Sequence, residues 1–280
     1  MSRIQNILEK AERDGGVRRM HPVAEPAGAT LARDMPPVAV PPPPASASPG
    51  ETHATTAVTA APAVRTVRPQ LDRIVMAAFA PDAFAAEQYR ALRTRMTQSA
   101  HGARVDVIVI TSPGRGEGKS LTAANLALTM GQDFQSRICL VDADLRHSSQ
   151  HRLFGLPEMP GLADVLSGHA LLNDSLVALE DLALTVLPAG QLPAHPAELL
   201  GSTAMRRTLQ TLRSQFDRVI IDAPSAAPLA DVGILTPLVD SVVLVVQAGT
   251  TTKPAIQEAV DAIGSSKLLG VVLNGAAAAA

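Results

Sequence analysis

The chain has 280 residues, enough for one substantial α/β domain with further segments attached. Its formal net charge of −2, from 24 basic and 26 acidic residues, excludes a broadly basic surface, so no nucleic-acid partner is expected. The lone Cys139 excludes an internal disulfide, and no apolar run is long enough to predict a transmembrane helix.

Ser2 to Asp14 reads as a short amphipathic helix, with Ile4, Ile7, Leu8 and Ala11 on one face and a Gly15-Gly16 stop. So short a helix needs a partner surface, and another protein or the chain's own domain would serve equally. The polar start lacks a signal-peptide core, which with the single cysteine predicts a cytoplasmic protein. The stretch 16–70 is rich in Ala, Pro, Ser, Thr and Val, includes Pro41 to Pro44, and shows no periodicity. It is expected to be a disordered or polyproline-like linker. The domains expected are therefore a helix over 1–15, a linker over 16–70 and a globular domain over 71–280.

Pro81-Asp82 predicts the start of a helix reaching about Gln98, with an apolar stripe of Phe84, Ala85, Leu92 and Met96. Glu87, Arg90 and Arg93 recur at three-residue spacing, a pattern that by itself describes a solvated, salt-bridged face. Next, the apolar run Val105 to Ile110 leads into Thr111-Ser-Pro-Gly-Arg-Gly-Glu-Gly-Lys-Ser120 and a helix-like run from Leu121. Strand, glycine-rich turn, Gly-Lys-Ser and helix are the parts of a phosphate-binding P-loop. Backbone N–H groups of Gly114, Arg115, Gly116, Glu117 and Gly118, with Lys119, Ser120 and Leu121 at the helix start, would surround a nucleotide, while Pro113, which has no N–H, would rigidify the turn entry. Lys119 would reach the outer phosphates and Ser120 would ligate Mg²⁺. Pro113 stands where the general motif has glycine.

The buried-strand run Ile138 to Val141 ends in Asp142-Ala-Asp144-Leu-Arg146. In an open α/β sheet, ligands bind outside the carboxyl ends of strands, so these side chains would face the P-loop. One carboxylate can orient Mg²⁺ and another can accept a proton from an attacking hydroxyl. A short helix in Pro160 to Gly168, a strand over Leu184 to Leu187 and a helix from about Ala197 to Gln215 follow. Arg218 to Ile221 is a strand ending in Asp222, a second acidic element for Mg²⁺. Helices over Leu229 to Leu238 and Lys253 to Ile263 alternate with strands over Val242 to Val246 and Leu268 to Leu273. This alternation predicts a doubly wound, mostly parallel sheet covered by helices on both faces. Asn274 at the last strand end would contact the nucleotide base or merely start a turn. The seven histidines show no metal-ligand spacing.

From about Ala83 to Asn274 the chain resembles the cytoplasmic domain of bacterial tyrosine kinases, the BY-kinases of the CpsD/CapB type. The resemblance rests on SPGRGEGKS, LVDADLR, VIIDAPS and EQYRALR together, with PGLADVLSG and LPAHPAELL between them. Pro113 is frequent in that family's loop. The opening MSRIQNILEKAERDG is similar to those of exopolysaccharide-locus members.

The resemblance implies ATP·Mg²⁺-dependent phosphorylation of tyrosines on protein substrates. Lys119 would bind phosphates, Ser120, Asp142 and Asp222 would attend the metal, and Asp142 would be the base, supported by Asp144 and Arg146. It implies a role in capsule or exopolysaccharide assembly, with a membrane-embedded chain-length (co-polymerase) partner that brings the kinase to the inner face of the membrane. It also turns Glu87, Arg90 and Arg93 into a subunit contact of a homo-oligomer. Three departures stand out. The family's C-terminal tyrosine cluster is absent, Tyr89 being the only tyrosine; Ser225 replaces the second proline of Asp-x-Pro-Pro; and His195 stands where Asn is usual. A ParA/MinD-like ATPase switch is the other class considered. Those relatives carry a signature lysine five residues before the invariant one, a position held here by Gly114.

Overall fold

The computed structural model describes residues 64–75, 83–99, 106–132, 136–226 and 231–276. The expected front helix and the expected linker as far as residue 63 lie outside the described residues.

The elements, in chain order, are β1 (Arg65–Val67), α1 (Phe84–Ser99), β2 (Val107–Thr111), α2 (Lys119–Gly131), β3 (Ile138–Asp142), α3 (Gln150–Phe154), α4 (Leu162–Leu166), α5 (Leu172–Ser175), β4 (Val177–Leu179), β5 (Leu184–Leu187), α6 (Pro196–Leu200), α7 (Thr203–Gln215), β6 (Arg218–Asp222), α8 (Asp231–Leu235), β7 (Ser241–Gln247), α9 (Lys253–Ile263) and β8 (Leu268–Asn274). The strands form one sheet in the order β1-β4-β5-β3-β6-β2-β7-β8. Neighbours run parallel except β4 and β5. This is the doubly wound α/β architecture that the alternating pattern predicts.

The central strands are continuous apolar runs because helices bury them on both faces. Successive side chains point to opposite faces. Val107 and Val109 of β2 join a core with Val141, Leu187, Leu209, Leu212 and Ile221. Ile108 and Ile110 join the other core, with Leu126, Leu140, Ile220 and Val243. Cys139 is fully buried in β3, as its apolar setting predicts.

Several features differ from the sequence reading. The end of the expected linker contains β1, which pairs with β4, while the amides of Gln70 and Asp72 donate to the Phe154 and Leu153 carbonyls. Arg-Thr-Val shows no periodicity because so short an edge strand is held by tertiary pairing alone. The single helix expected over 197–215 is split into α6 and α7 at Gly201-Ser202. There the Ser202 hydroxyl caps α7 by accepting from Met205 N at 3.1 Å. The short elements α3, α5 and β4 carry no periodic pattern that marks them in the sequence.

Helix α1 packs along α2. Arg93 donates to the Thr129 carbonyl of α2 at 3.1 Å, and half-buried Tyr89 is bonded by the Thr122 and Asn125 side chains of the same helix. Burial raises the Tyr89 pKa.

Asp240, just before β7, ties three elements together. It accepts from the amides of Asp106 and Val107 at 2.9 and 2.8 Å and from both terminal guanidinium nitrogens of Arg213 on α7 at 2.9 Å. Burial raises its pKa, but Arg213 and the two amides outweigh that and hold it below the usual carboxylate value. Its contribution is therefore present above the ordinary carboxylate pKa and lost as pH falls through the lowered one. Asp240→Ala should cost about 1–3 kcal/mol at neutral pH by leaving these donors unmet. Urea denaturation across pH should show the difference from the parent vanishing in acid; a difference independent of pH would refute this role.

Candidate active site at the carboxyl ends of the strands

The loop after β2 is seated before it can bind anything. The Thr111 hydroxyl donates to the Pro224 carbonyl at 2.6 Å, and Ala226 N donates to the Ser112 carbonyl at 2.8 Å. The segment after β6 therefore supports the loop from below. Gly116 and Gly118 have φ of 80° and 91°, a backbone region that other residues enter only with strain. A Cβ on Gly118 would also collide with the Asn274 side chain. Gly118 starts α2, leaving first-turn amides and the positive end of the helix dipole aimed at whatever the loop encloses. Glu117 braces the turn: its carboxylate accepts from Gly114 N at 2.8 Å and from Gln247 N at 3.3 Å.

Strand register brings the acids to this loop. Asp142 pairs with Asp222 across β3 and β6, and Ile110 of β2 pairs with Asp222. Lys119 Nζ lies 2.7 Å from Asp144 Oδ2, 3.5 Å from Asp222 Oδ1 and 3.1 Å from Ser120 Oγ. Asp142 Oδ2 accepts from the amides of Ser149 and Gln150, both at 2.9 Å. The Gln150 side chain donates to Asp222 Oδ2 at 2.9 Å and to the Ser120 carbonyl at 3.0 Å.

All three acids are buried, Asp142 and Asp222 completely. Burial, and next the adjacent Asp222 charge, push Asp142 up to about 7 against the pull of two amides and Lys119. Burial also raises Asp222, opposed by Lys119 and Gln150. The pair thus holds a proton more tightly than free carboxylates do. For Lys119, burial lowers the pKa, but Asp222 and Asp144 reverse that and leave it raised, so its ammonium persists.

The structure thus brings together Lys119, Ser120, Asp142, Asp144 and Asp222, with Pro113 buried at the loop entry and Leu121 half-buried on α2. Gly114, Arg115, Gly116, Glu117 and Gly118 form the turn, Arg115 and Gly116 being exposed. Arg146 is turned elsewhere, onto buried Asp231 at 3.1 Å. Asn274 stands against the loop, where its side-chain amide donates to the Glu117 carbonyl at 3.0 Å. Glu87 and Arg90 pair with each other at 2.7 Å on α1. His195 is exposed beside Glu198, and nothing in its surroundings explains it. Sequence reasoning missed Gln150 and Asp231. Gln150 lies eight residues past Asp142 in a polar stretch, without a motif to mark it.

No protein-family model matches the chain. Over 208 residues it is 36% identical to the tyrosine-protein kinase YwqD of Bacillus subtilis, a match covering 74% of this chain and 87% of that protein. It is 34% identical over 191 residues to the tyrosine-protein kinase CpsD of Streptococcus agalactiae, covering 67% of this chain and 82% of that protein. The fold superposes on the crystal structure of the chimerical protein CapA2B2 with a TM-score of 0.68 and 32% identity, covering 76% of this chain and 93% of the other.

An acid whose folded pKa is raised binds its proton more tightly in the folded state, so its ionisation costs stability. The nucleotide-free protein in a chelator should lose stability as pH rises from the carboxylate range through about 7, where Asp142 titrates. Asp142→Asn should therefore melt higher than the parent in mild alkali, by about 2–4 °C per kcal/mol relieved. The gap should narrow at about pH 5; a gap that fails to widen as pH rises would contradict the assignment.

Proposed function

We propose that this chain, which belongs to the family of bacterial tyrosine-protein kinases, transfers the γ-phosphoryl group of ATP to tyrosine hydroxyls on other proteins. The observation that carries this reading is the Lys119 ammonium held among Asp144, Asp222 and Ser120 at the mouth of a glycine turn. A cation clasped by carboxylates at such a turn is positioned to exchange them for phosphate oxygens.

Each residue then has a role grounded in its surroundings. The loop amides and the first turn of α2 hold the phosphates, and Lys119 neutralises the charge that spreads over them in transfer. Asp142, buried with an Oδ1 that accepts no hydrogen bond, would be the base for the tyrosine proton. Asp144 steers Lys119, and its Oδ1 is held by the His147 amide at 3.0 Å. Arg146, bonded to Asp231, supports the strand tip rather than the transferred group.

The oxygens present also fit Mg²⁺. Asp142 Oδ1 and Asp222 Oδ1 are buried and accept no hydrogen bond, and Lys119 Nζ lies 3.1 Å from Ser120 Oγ and 3.5 Å from Asp222 Oδ1. Among the described residues no three His, Cys, Asp or Glu side chains form a ready cage. That suits Mg²⁺, which takes one or two carboxylates and completes its shell with water and phosphate. Ser120, Asp142 and Asp222 would hold it, and when bound it would supply charge neutralisation at the phosphates.

The acceptor tyrosine lies on another protein, because Tyr89 is committed to the contact between α1 and α2. Asn274, beside the loop, is placed to sense the nucleotide base. Glu87, Arg90 and Arg93 on α1 form the contact of a homo-oligomer. The setting is capsule or exopolysaccharide assembly in the cytoplasm, beneath a membrane-embedded co-polymerase. Among the described residues no helix is long and apolar enough to cross a membrane, and recruitment would come through that partner.

Purified protein given labelled ATP·Mg²⁺ and a tyrosine-bearing acceptor should form phosphotyrosine, and Lys119→Met should reduce it by about 10²–10³-fold. Phosphate release with nucleotide-driven assembly but no phosphotyrosine would replace the kinase by a ParA/MinD-like switch. Separately, Glu87→Lys should lower the mass seen by size exclusion while ADP binding persists, since Glu87 is exposed on α1. An unchanged mass would remove the subunit-contact role.

A further inference from the structure

Gln150 is fully buried at the start of α3, between the loop and the two acidic strand tips. Its main chain and side chain touch three separate motifs. The backbone amide donates to Asp142 Oδ2, and Nε2 donates to Asp222 Oδ2 and to the carbonyl of Ser120. A primary amide has two donor hydrogens, and both are used. The opposite placement of the amide would set its oxygen against a carboxylate and a carbonyl, so only this orientation satisfies the site.

The consequence falls on the carboxylates. Each gives its Oδ2 to Gln150, and each is left with an Oδ1 that accepts no hydrogen bond although fully enclosed. Gln150 Oε1 and Ser149 Oγ are likewise buried and unpartnered. Buried oxygens without donors are costly, and here four of them lie on residues bonded to one another. Asp222 Oδ1 has the Lys119 ammonium 3.5 Å away but no hydrogen bond from it, and a hydrated divalent cation would add the inner-sphere charge and water hydrogens that these oxygens lack.

We propose that Gln150 is a positioning residue for the metal. Its side-chain amide fixes the rotation of Asp222 and ties it to the loop through the Ser120 carbonyl, while its backbone amide, with that of Ser149, holds Asp142, so that both Oδ1 edges are left free for a Mg²⁺ ion and its waters. The inference rests on the Mg²⁺·nucleotide site proposed above, not on phosphotransfer itself. A glutamate could not do this, since it would add a fourth carboxylate to a site that already holds Asp142, Asp144 and Asp222. An asparagine keeps the amide and the backbone bond to Asp142 but falls one methylene short of reaching Asp222 and the Ser120 carbonyl. A residue that merely filled the core would leave metal coupling unchanged when replaced by one of equal size.

The test is calorimetric titration of ADP into the whole protein, once with a chelator and once with saturating Mg²⁺. In Gln150→Met the Mg²⁺-linked gain in ADP affinity should fall about 10-fold or more, with chelator-state affinity within about 2-fold of the parent. Retention of the parental Mg²⁺-linked gain overturns the proposal. Gln150→Asn, the milder change, should move the gain in the same direction; if Gln150→Met yields no folded protein, a parental gain in Gln150→Asn overturns it instead. Because phosphotransfer is not measured, a protein inactive as a kinase still decides the role of Gln150, while the kinase reading stands or falls on Lys119→Met.

Discussion

Three carboxylates inside the carboxyl edge of this sheet would be untenable without the Lys119 ammonium. Desolvating an unpaired charge costs several kcal/mol even after relaxation, and here Asp142 and Asp222 sit side by side on adjacent strands. The lysine lies within 3.5 Å of two of the three acids, and its own charge is preserved by them. The arrangement is therefore mutually dependent and poor in intrinsic stability, which is what a site that exchanges one set of anions for another requires.

The fold supplies this arrangement through strand order. Placing β6 between β2 and β3 sets the tips of three strands in a row, so the loop after β2 meets Asp222 at the end of its neighbour β6 and the acids at the end of β3 beyond it. The same packing seats the loop on the chain after β6 through Thr111 and Ser112. Helix α3 completes the enclosure from the side, and residues 70 and 72 dock on its last carbonyls. The segment that leads in from the N-terminal part of the chain thus rests on the same short helix that carries Gln150.

A second dependency runs through α1. The helix that bears Glu87, Arg90 and Arg93 is fastened to the P-loop helix by Arg93 to the Thr129 carbonyl and by Tyr89 to Thr122 and Asn125. Under the proposed oligomer contact, a neighbour pressing on α1 would act directly on the helix whose first residues are Lys119 and Ser120. That gives assembly and nucleotide binding one mechanical element in common, and it accounts for the sole tyrosine being structural rather than displayed.

Wherever chemistry is local, it was legible in the sequence. Apolar runs ending in Asp142 and Asp222 declare buried strands with acids at their tips, and Gly118-Lys119-Ser120 after such a run declares the turn and helix start. These patterns are contiguous, and burial on both faces of a parallel strand leaves a run no other use. Gln150 bridging Asp142, Asp222 and Ser120, Asp231 taking Arg146, Asn274 bonding the loop and β1 beside β4 were decided only by tertiary structure. Their partners lie up to 157 residues away, as with Asn274 and Glu117, and polar residues in short segments carry no periodicity. A hydrogen bond between distant residues depends on where two backbones come to rest, and that position is set by the packing of the whole sheet rather than by either stretch of chain.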